Sequence, residues 1–213
     1  LAEHDRIGSP LRSELGPGEP PERVEETLRA IGLTAPGELV ELFGWRQVRP
    51  ELLGAPRVAW FWPAQPRHFD EAVDHYRQSI EIGGITPAAL EKAIRAGQPP
   101  EATFTGFWRT DWFPWLFGSP EEYAIECRDG ASEAPVWRVN WHPDQGFQTK
   151  QVGTSVTDFI ERVVELFRAG AYTWDPADHS IVPVDEVFTQ RGLDENRPPW
   201  DRHYRPASLR STN

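Results

Sequence analysis

The chain predicts an α+β fold, a single domain with N- and C-terminal extensions in which helices flank an antiparallel β-sheet of about four to six strands. Three observations carry that expectation. Val24, Leu28 and Ile31, then Phe69, Ala72, Val73, Tyr76 and Ile80, then Val156, Phe159, Ile160, Val163, Val164 and Phe167 recur at the spacing of helices that bury one side. Tyr123, Ile125 and Cys127, and later Trp137, Val139 and Trp141, instead alternate with their neighbours, the period of strands. Short turns, Gly118-Ser119-Pro120 and His142-Pro143-Asp144-Gln145-Gly146, separate the strand-like runs and make hairpins of them.

Residues 1–20 set Gly8, Pro10, Gly16, Pro17, Gly18 and Pro20 among charged residues, the composition of a flexible arm. The domain is expected over 21–192. Its first helix starts at Pro21, with Glu22, Glu25 and Glu26 near the positive end of the helix dipole and Gly32 as its stop. Thr34 and Pro36 open a second helix carrying Leu39, Val40, Leu42 and Phe43, which completes a helical hairpin over one end of the sheet. Val58, Trp60 and Trp62 suit a short buried strand, limited by Pro56, Pro63 and Pro66. The Phe69–Ile80 helix ends at Gly83-Gly84, and Thr86-Pro87 caps and starts another with Leu90, Ala93 and Ile94 inward. After the strands, Ser155 and Asp158 form a Ser-x-x-Asp helix start, Asp158 pairs with Arg162 four residues on, and Gly170 closes the helix. Residues 181–184 suggest an edge strand, 185–192 a last helical turn, and 193–213 a tail.

The balance of 22 basic against 33 acidic residues gives a net charge of −11. That disfavours direct nucleic-acid binding, which needs a basic stripe, and suits solubility or the steering of a basic partner. All the basic residues but Lys92 and Lys150 are arginine, a coding bias rather than a guanidinium site. Cys127 is the single cysteine, so no intrachain disulfide forms, and its place on a strand reads as a small buried hydrophobe. No run of about 18 apolar residues is present and the opening LAEHDRIG is no signal peptide, so the expectation is a cytoplasmic protein that does not cross a membrane. With no methionine in it, the printed sequence is expected to begin after the initiator.

The stretch Phe104–Cys127 concentrates Trp108, Trp112 and Trp115 among phenylalanines, as either the centre of a core or the floor of a binding surface. Exposed, its indole faces would stack on sugars or cations; buried, each would contribute about 2–3 kcal/mol to the core. Trp108 and Asp111 at its leading edge, with the adjacent carboxylates Glu121 and Glu122, are the candidate partner-facing residues. A buried Asp111 would have a raised pKa and a proton to carry, whereas an exposed one caps a turn. Asp175, Asp178 and His179 fall short of any standard metal spacing, and His142 with Asp144 is turn chemistry. The sequence has no nucleophile elbow, phosphate loop, zincin helix or cysteine metal pair, and the expectation is no catalytic residue, metal or cofactor.

The order of these pieces resembles the SUKH superfamily, the fungal cell-wall-synthesis regulators and the bacterial immunity proteins similar to them. The resemblance rests on LTAPGELVELFGW, close to the family's Leu-Pro-x-x-Leu helix; the Trp112–Trp115 entry; the Tyr123 strand; the Pro135-Val136 strand; and the Ser155–Gly170 helix with its Phe-x-x-Gly-Ala-Tyr end. It spans about residues 21–174. It implies an α+β domain without catalysis that binds another protein, commonly a secreted bacterial toxin, often a nuclease. An acidic chain suits such a basic partner.

Overall fold

The computed structural model describes residues 1–49, 51, 60, 64–96, 108–118, 121–128, 133–142, 146–184, 186 and 187. Its centre is a five-stranded sheet of β3 (Gln65–Pro66), β6 (Trp112–Phe117), β7 (Glu121–Glu126), β8 (Val136–His142) and β9 (Gly146–Gly153), hydrogen-bonded in that order and antiparallel throughout. β6 to β9 form the expected meander of hairpins. Three two-stranded ladders accompany it: β1 (Leu15–Pro17) with β2 (Arg46–Val48), β4 (Gly84–Ile85) with β5 (Trp108–Arg109), and β10 (Tyr172–Asp175) with β11 (Ser180–Pro183). The helices are α1 (Ala2–Arg6), α2 (Leu11–Glu14), α3 (Pro21–Ala30), α4 (Gly37–Trp45), α5 (Phe69–Gly83), α6 (Pro87–Arg95) and α7 (Val156–Arg168). The fold is α+β, as the periodicities predict.

Both faces of the sheet carry buried side chains. Cross-strand register puts Tyr123 opposite Arg138 and Ile125 opposite Val136 on one face. There α7 lays Phe159 against Tyr123 and Trp115, with ring centroids 5.8 and 5.6 Å apart. The other face holds Trp112, Ala124, Glu126, Trp137 and Val139, with Trp112 stacked on Trp137 at 5.4 Å. Val136 and Val139 are therefore both buried although the pleat points them in opposite directions. Arg138, expected outside, is also largely covered.

Most helix limits follow their chemical signals. α3 begins with Pro21 at its first position, α5 ends as Gly84 is reached, and the Ser155 hydroxyl accepts from the Asp158 amide to start α7. α4 starts behind Pro36 instead of at the expected Thr34 cap, and it runs through Gly44 to Trp45. His68 caps α5 in a reciprocal box with Glu71, a cap that histidine seldom supplies.

Residues 1–17 are not the free arm their composition predicts. α1, α2 and β1 bury His4, Ser9, Leu11 and Leu15, and β1 pairs with β2. At Gly18 the chain passes so close to the Gly44 carbonyl that a Cβ would overlap it, and the Glu19 amide donates to Phe43 O at 2.9 Å. The composition reading failed because a few well-spaced leucines, packed on a surface supplied by distant residues, offset the ordering entropy that they could not offset alone. The expected strand at 58–62 lies outside the described residues except for Trp60, as does the 185–192 turn except for Glu186 and Val187, and all of the 193–213 tail.

Candidate functional site

Trp108, Trp112 and Trp115 are core. Their exposures are 5, 1 and 1 %, so none offers a ring face for stacking on a sugar or a partner. Trp108 donates its indole N–H to Trp112 O at 2.8 Å and meets that ring edge-on. Asp111 is an ion-pair member: Arg109 Nε donates to its Oδ1 at 2.9 Å. The same guanidinium lies 4.9 Å from the centroid of Trp112 and 5.6 Å from that of Trp137, and donates to Glu126 Oε1 at 2.6 Å. Glu126, 1 % exposed, also accepts from Arg128 Nε at 2.6 Å and Trp137 Nε1 at 2.7 Å. Burial would raise its pKa, but the bonds from Arg128, Trp137 and Arg109 prevail and hold it below the ordinary value.

The two other predicted carboxylates are engaged as well. Glu121 is buried, accepts the Tyr123 hydroxyl at 2.8 Å and pairs with Arg138 Nη1 at 3.1 Å. Glu122 is part-exposed and joins Arg67 at 3.2 Å and His75 at 2.7 Å. Cross-strand pairing brings Glu121 and Glu122 near β8, while Trp108 and Asp111 sit at the β5–β6 corner. The structure thus makes Trp108 and Glu121 interior residues, because aromatic area and a tyrosine hydroxyl cover them. Cys127 is buried as expected, and burial pushes its thiol pKa upward. Among the described residues no cluster of three or more His, Cys, Asp or Glu is placed to hold a metal; His179 turns instead to Glu14 at 3.2 Å.

An apolar cavity open to solvent runs alongside α7, with Phe159 and Trp115 in its wall. Leu1, Leu11 and Leu15 from the N-terminal elements, Leu42 and Trp45 from α4, Trp60, and the α7 residues Ile160, Val163, Val164 and Phe167 also line it, and its volume is about 280 Å³. Trp45 stands 54 % exposed at its mouth, beside the half-covered Leu1, Ile160 and Val164. Carboxylates accompany it: Glu41 lies one turn earlier in α4, and Glu161 and Glu165 directly follow Ile160 and Val164, all three exposed. Arg168 and Glu3 on the cavity wall neutralise one another at 3.1 Å.

Two residues that sequence reasoning missed position this region. His4 donates through Nε2 to Trp60 O at 2.9 Å and accepts the Ser9 hydroxyl at Nδ1 over 3.1 Å, which ties α1 to Trp60. Burial pushes its pKa down to about 4, against the opposing pull of the Trp60 carbonyl. Glu38, in the first turn of α4, caps α7 from outside: Oε2 accepts Val156 N at 3.1 Å and Ala134 N at 2.9 Å, and Oε1 accepts Thr157 N at 3.1 Å and Thr157 Oγ1 at 2.7 Å. A carboxylate at the positive end of a helix is favoured there. Only the four-residue rhythm of Leu11 and Leu15 hinted at the first; nothing local signals the second. No protein-family model matches this chain, and neither does any curated protein with which it was compared.

Proposed function

We propose that the chain is a non-catalytic protein-binding domain for a basic partner, acting as an immunity-type inhibitor of a bacterial toxin domain, a nuclease among them, or as a regulatory interaction module. The observation that carries this reading is the exposed Trp45 on an apolar patch among exposed carboxylates. Tryptophan is among the residues that most often dominate interface energy, because its large rigid area is desolvated at little entropic cost. The exposed carboxylates of Glu41, Glu161 and Glu165 stand near the patch together with the exposed Arg46 that follows Trp45, and the net charge of −11 tips the wider field towards a basic partner. The ionisable groups around the Trp108–Trp115 cluster are committed to one another, which leaves that cluster a framework role.

The direct test is the affinity of the purified chain for the product of the adjacent gene, which the proposal expects to carry a basic toxin domain. A nanomolar complex that Trp45→Ala weakens by about thirtyfold or more supports the proposal, since an interface anchor is worth about 2 kcal/mol or more. A complex indifferent to Trp45→Ala moves the interface elsewhere, and no complex with a basic domain removes the reading.

A further inference from the structure

We propose that the basic partner docks through an arginine, whose guanidinium lies over the exposed Trp45 indole and pairs with the Glu41 carboxylate. This rests on the partner-binding reading above and names the chemistry of its central contact. Trp45 is the last residue of α4 and is 54 % exposed, which leaves the greater part of its ring accessible. Glu41, also exposed, precedes it by four residues, so the two side chains are neighbours on one face of the helix, with Cβ atoms about 5–6 Å apart. Among the described residues, neither takes part in a hydrogen bond, an ion pair or a ring contact. Arg46, the next residue, does not serve as their cation: it leaves the helix in an extended conformation and starts β2 opposite Pro17.

Elsewhere in the protein the same pairing of groups holds an arginine. Arg23 lies over Phe69 and pairs with Glu19 and Asp70. Arg67 lies over Phe117 and pairs with Glu122, and Arg109 lies over Trp112 and pairs with Asp111 and Glu126. Each time a ring attracts the cation through its electron-rich face, and a carboxylate takes charge-assisted hydrogen bonds from it. Trp45 and Glu41 repeat the ring and the carboxylate without the arginine. The helix end adds to the attraction. α3, α6 and α7 each set a basic residue in the last turn, against the negative end of the helix dipole, and α4 has none. A guanidinium suits the place better than an ammonium, because its plane stacks on an indole while its N–H edge meets a carboxylate.

Substitutions in the full chain test this against the product of the adjacent gene, with far-UV circular dichroism to show that each variant is folded. Trp45→Leu keeps an apolar side chain and removes the ring face, so it should weaken the complex about tenfold, and Trp45→Phe should weaken it less. Glu41→Gln should weaken it about threefold, and by less beside Trp45→Leu, because the cation that both groups hold is then no longer seated. A second arm needs no partner. The Trp45 indole N–H signal in proton–nitrogen correlation spectra, assigned by its loss in Trp45→Phe, should shift saturably with N-acetyl-arginine amide at millimolar concentrations and stay in place with its neutral isostere, N-acetyl-citrulline amide. A signal moved by both amides alike, or by neither, overturns the arginine assignment. So does a complex that Trp45→Ala weakens and Trp45→Leu leaves unchanged, a result that keeps the partner reading and makes Trp45 an apolar contact. Absence of any complex with a basic domain removes that reading and this one with it.

Discussion

Glu126 balances two guanidinium groups and an indole N–H from a position closed to water, so its charge is indispensable to its neighbours. Replacing it with glutamine leaves Arg109 between Trp112 and Trp137 with only the Asp111 carboxylate to offset its charge. We expect Glu126→Gln to destabilise the fold by about 3 kcal/mol, as breaking a buried ion pair does, and urea unfolding monitored by tryptophan fluorescence will read it; a change below about 1 kcal/mol would contradict this account. His4 predicts an acid sensitivity of its own. Its folded pKa of about 4 lies below the ordinary 6.5, so the unfolded chain takes up the proton first. The stability due to neutral His4 is therefore complete above about pH 6.5 and declines as the pH falls towards 4. His4→Gln should flatten the stability profile over that window, and an unchanged slope would show that His4 titrates alike in both states. None of this was legible in the sequence, where Asp111 invited a proton-transfer role and Arg109 no comment. The difference arises because a pleat and a corner bring Arg109, Asp111, Glu126 and Trp137 together from three strands.

At the level of elements, the sequence was most informative where one element's own periodicity sets its burial. α3, α5 and α7 each bury most of the apolar stripe read from their spacing, with Ile31, Ile80, Ile160 and Val164 half-covered, and β6 to β9 pair in the order their turns dictate. It was least informative where one element completes another. Glu38 is unremarkable as the second residue of α4, yet it closes the start of α7 and fixes Ala134. Burial works to raise its pKa, but the bonds from Thr157, Ala134 and Val156 outweigh that and hold it below the ordinary 4.5. With the folded value depressed, this carboxylate stabilises the protein fully above its unfolded pKa and ceases to as the pH falls through the folded one. Glu38→Gln should cost about 1–3 kcal/mol at neutral pH and much less under acid; a penalty equal at both would mean the charge is not what matters. Gly18 makes a similar point for the N-terminal elements. Gly18→Ala forces a methyl group into the Gly44 backbone, and thermal unfolding should fall by several degrees, about 2–4 °C for each kcal/mol in a chain of this size. An unchanged midpoint would mean that residues 1–18 contribute little to stability.

For the molecule as a whole, the charge of −11 has a kinetic signature. If a basic partner is steered by that field, its association rate should drop steeply between low and physiological salt while dissociation changes little, and stopped-flow measurements separate the two. A salt-independent association rate would leave the acidity as a matter of solubility. The ties between α1 and α7 bear on motion. Arg6 donates to the Phe167 carbonyl and Arg168 to Glu3, so α1 is held to α7 by residues more than 160 positions apart in the chain. A five-residue helix held by so few ties opens locally at far less cost than global unfolding. The amides of α1 should accordingly exchange with deuterium well before those of β7; equal protection would show that α1 opens only with the whole fold.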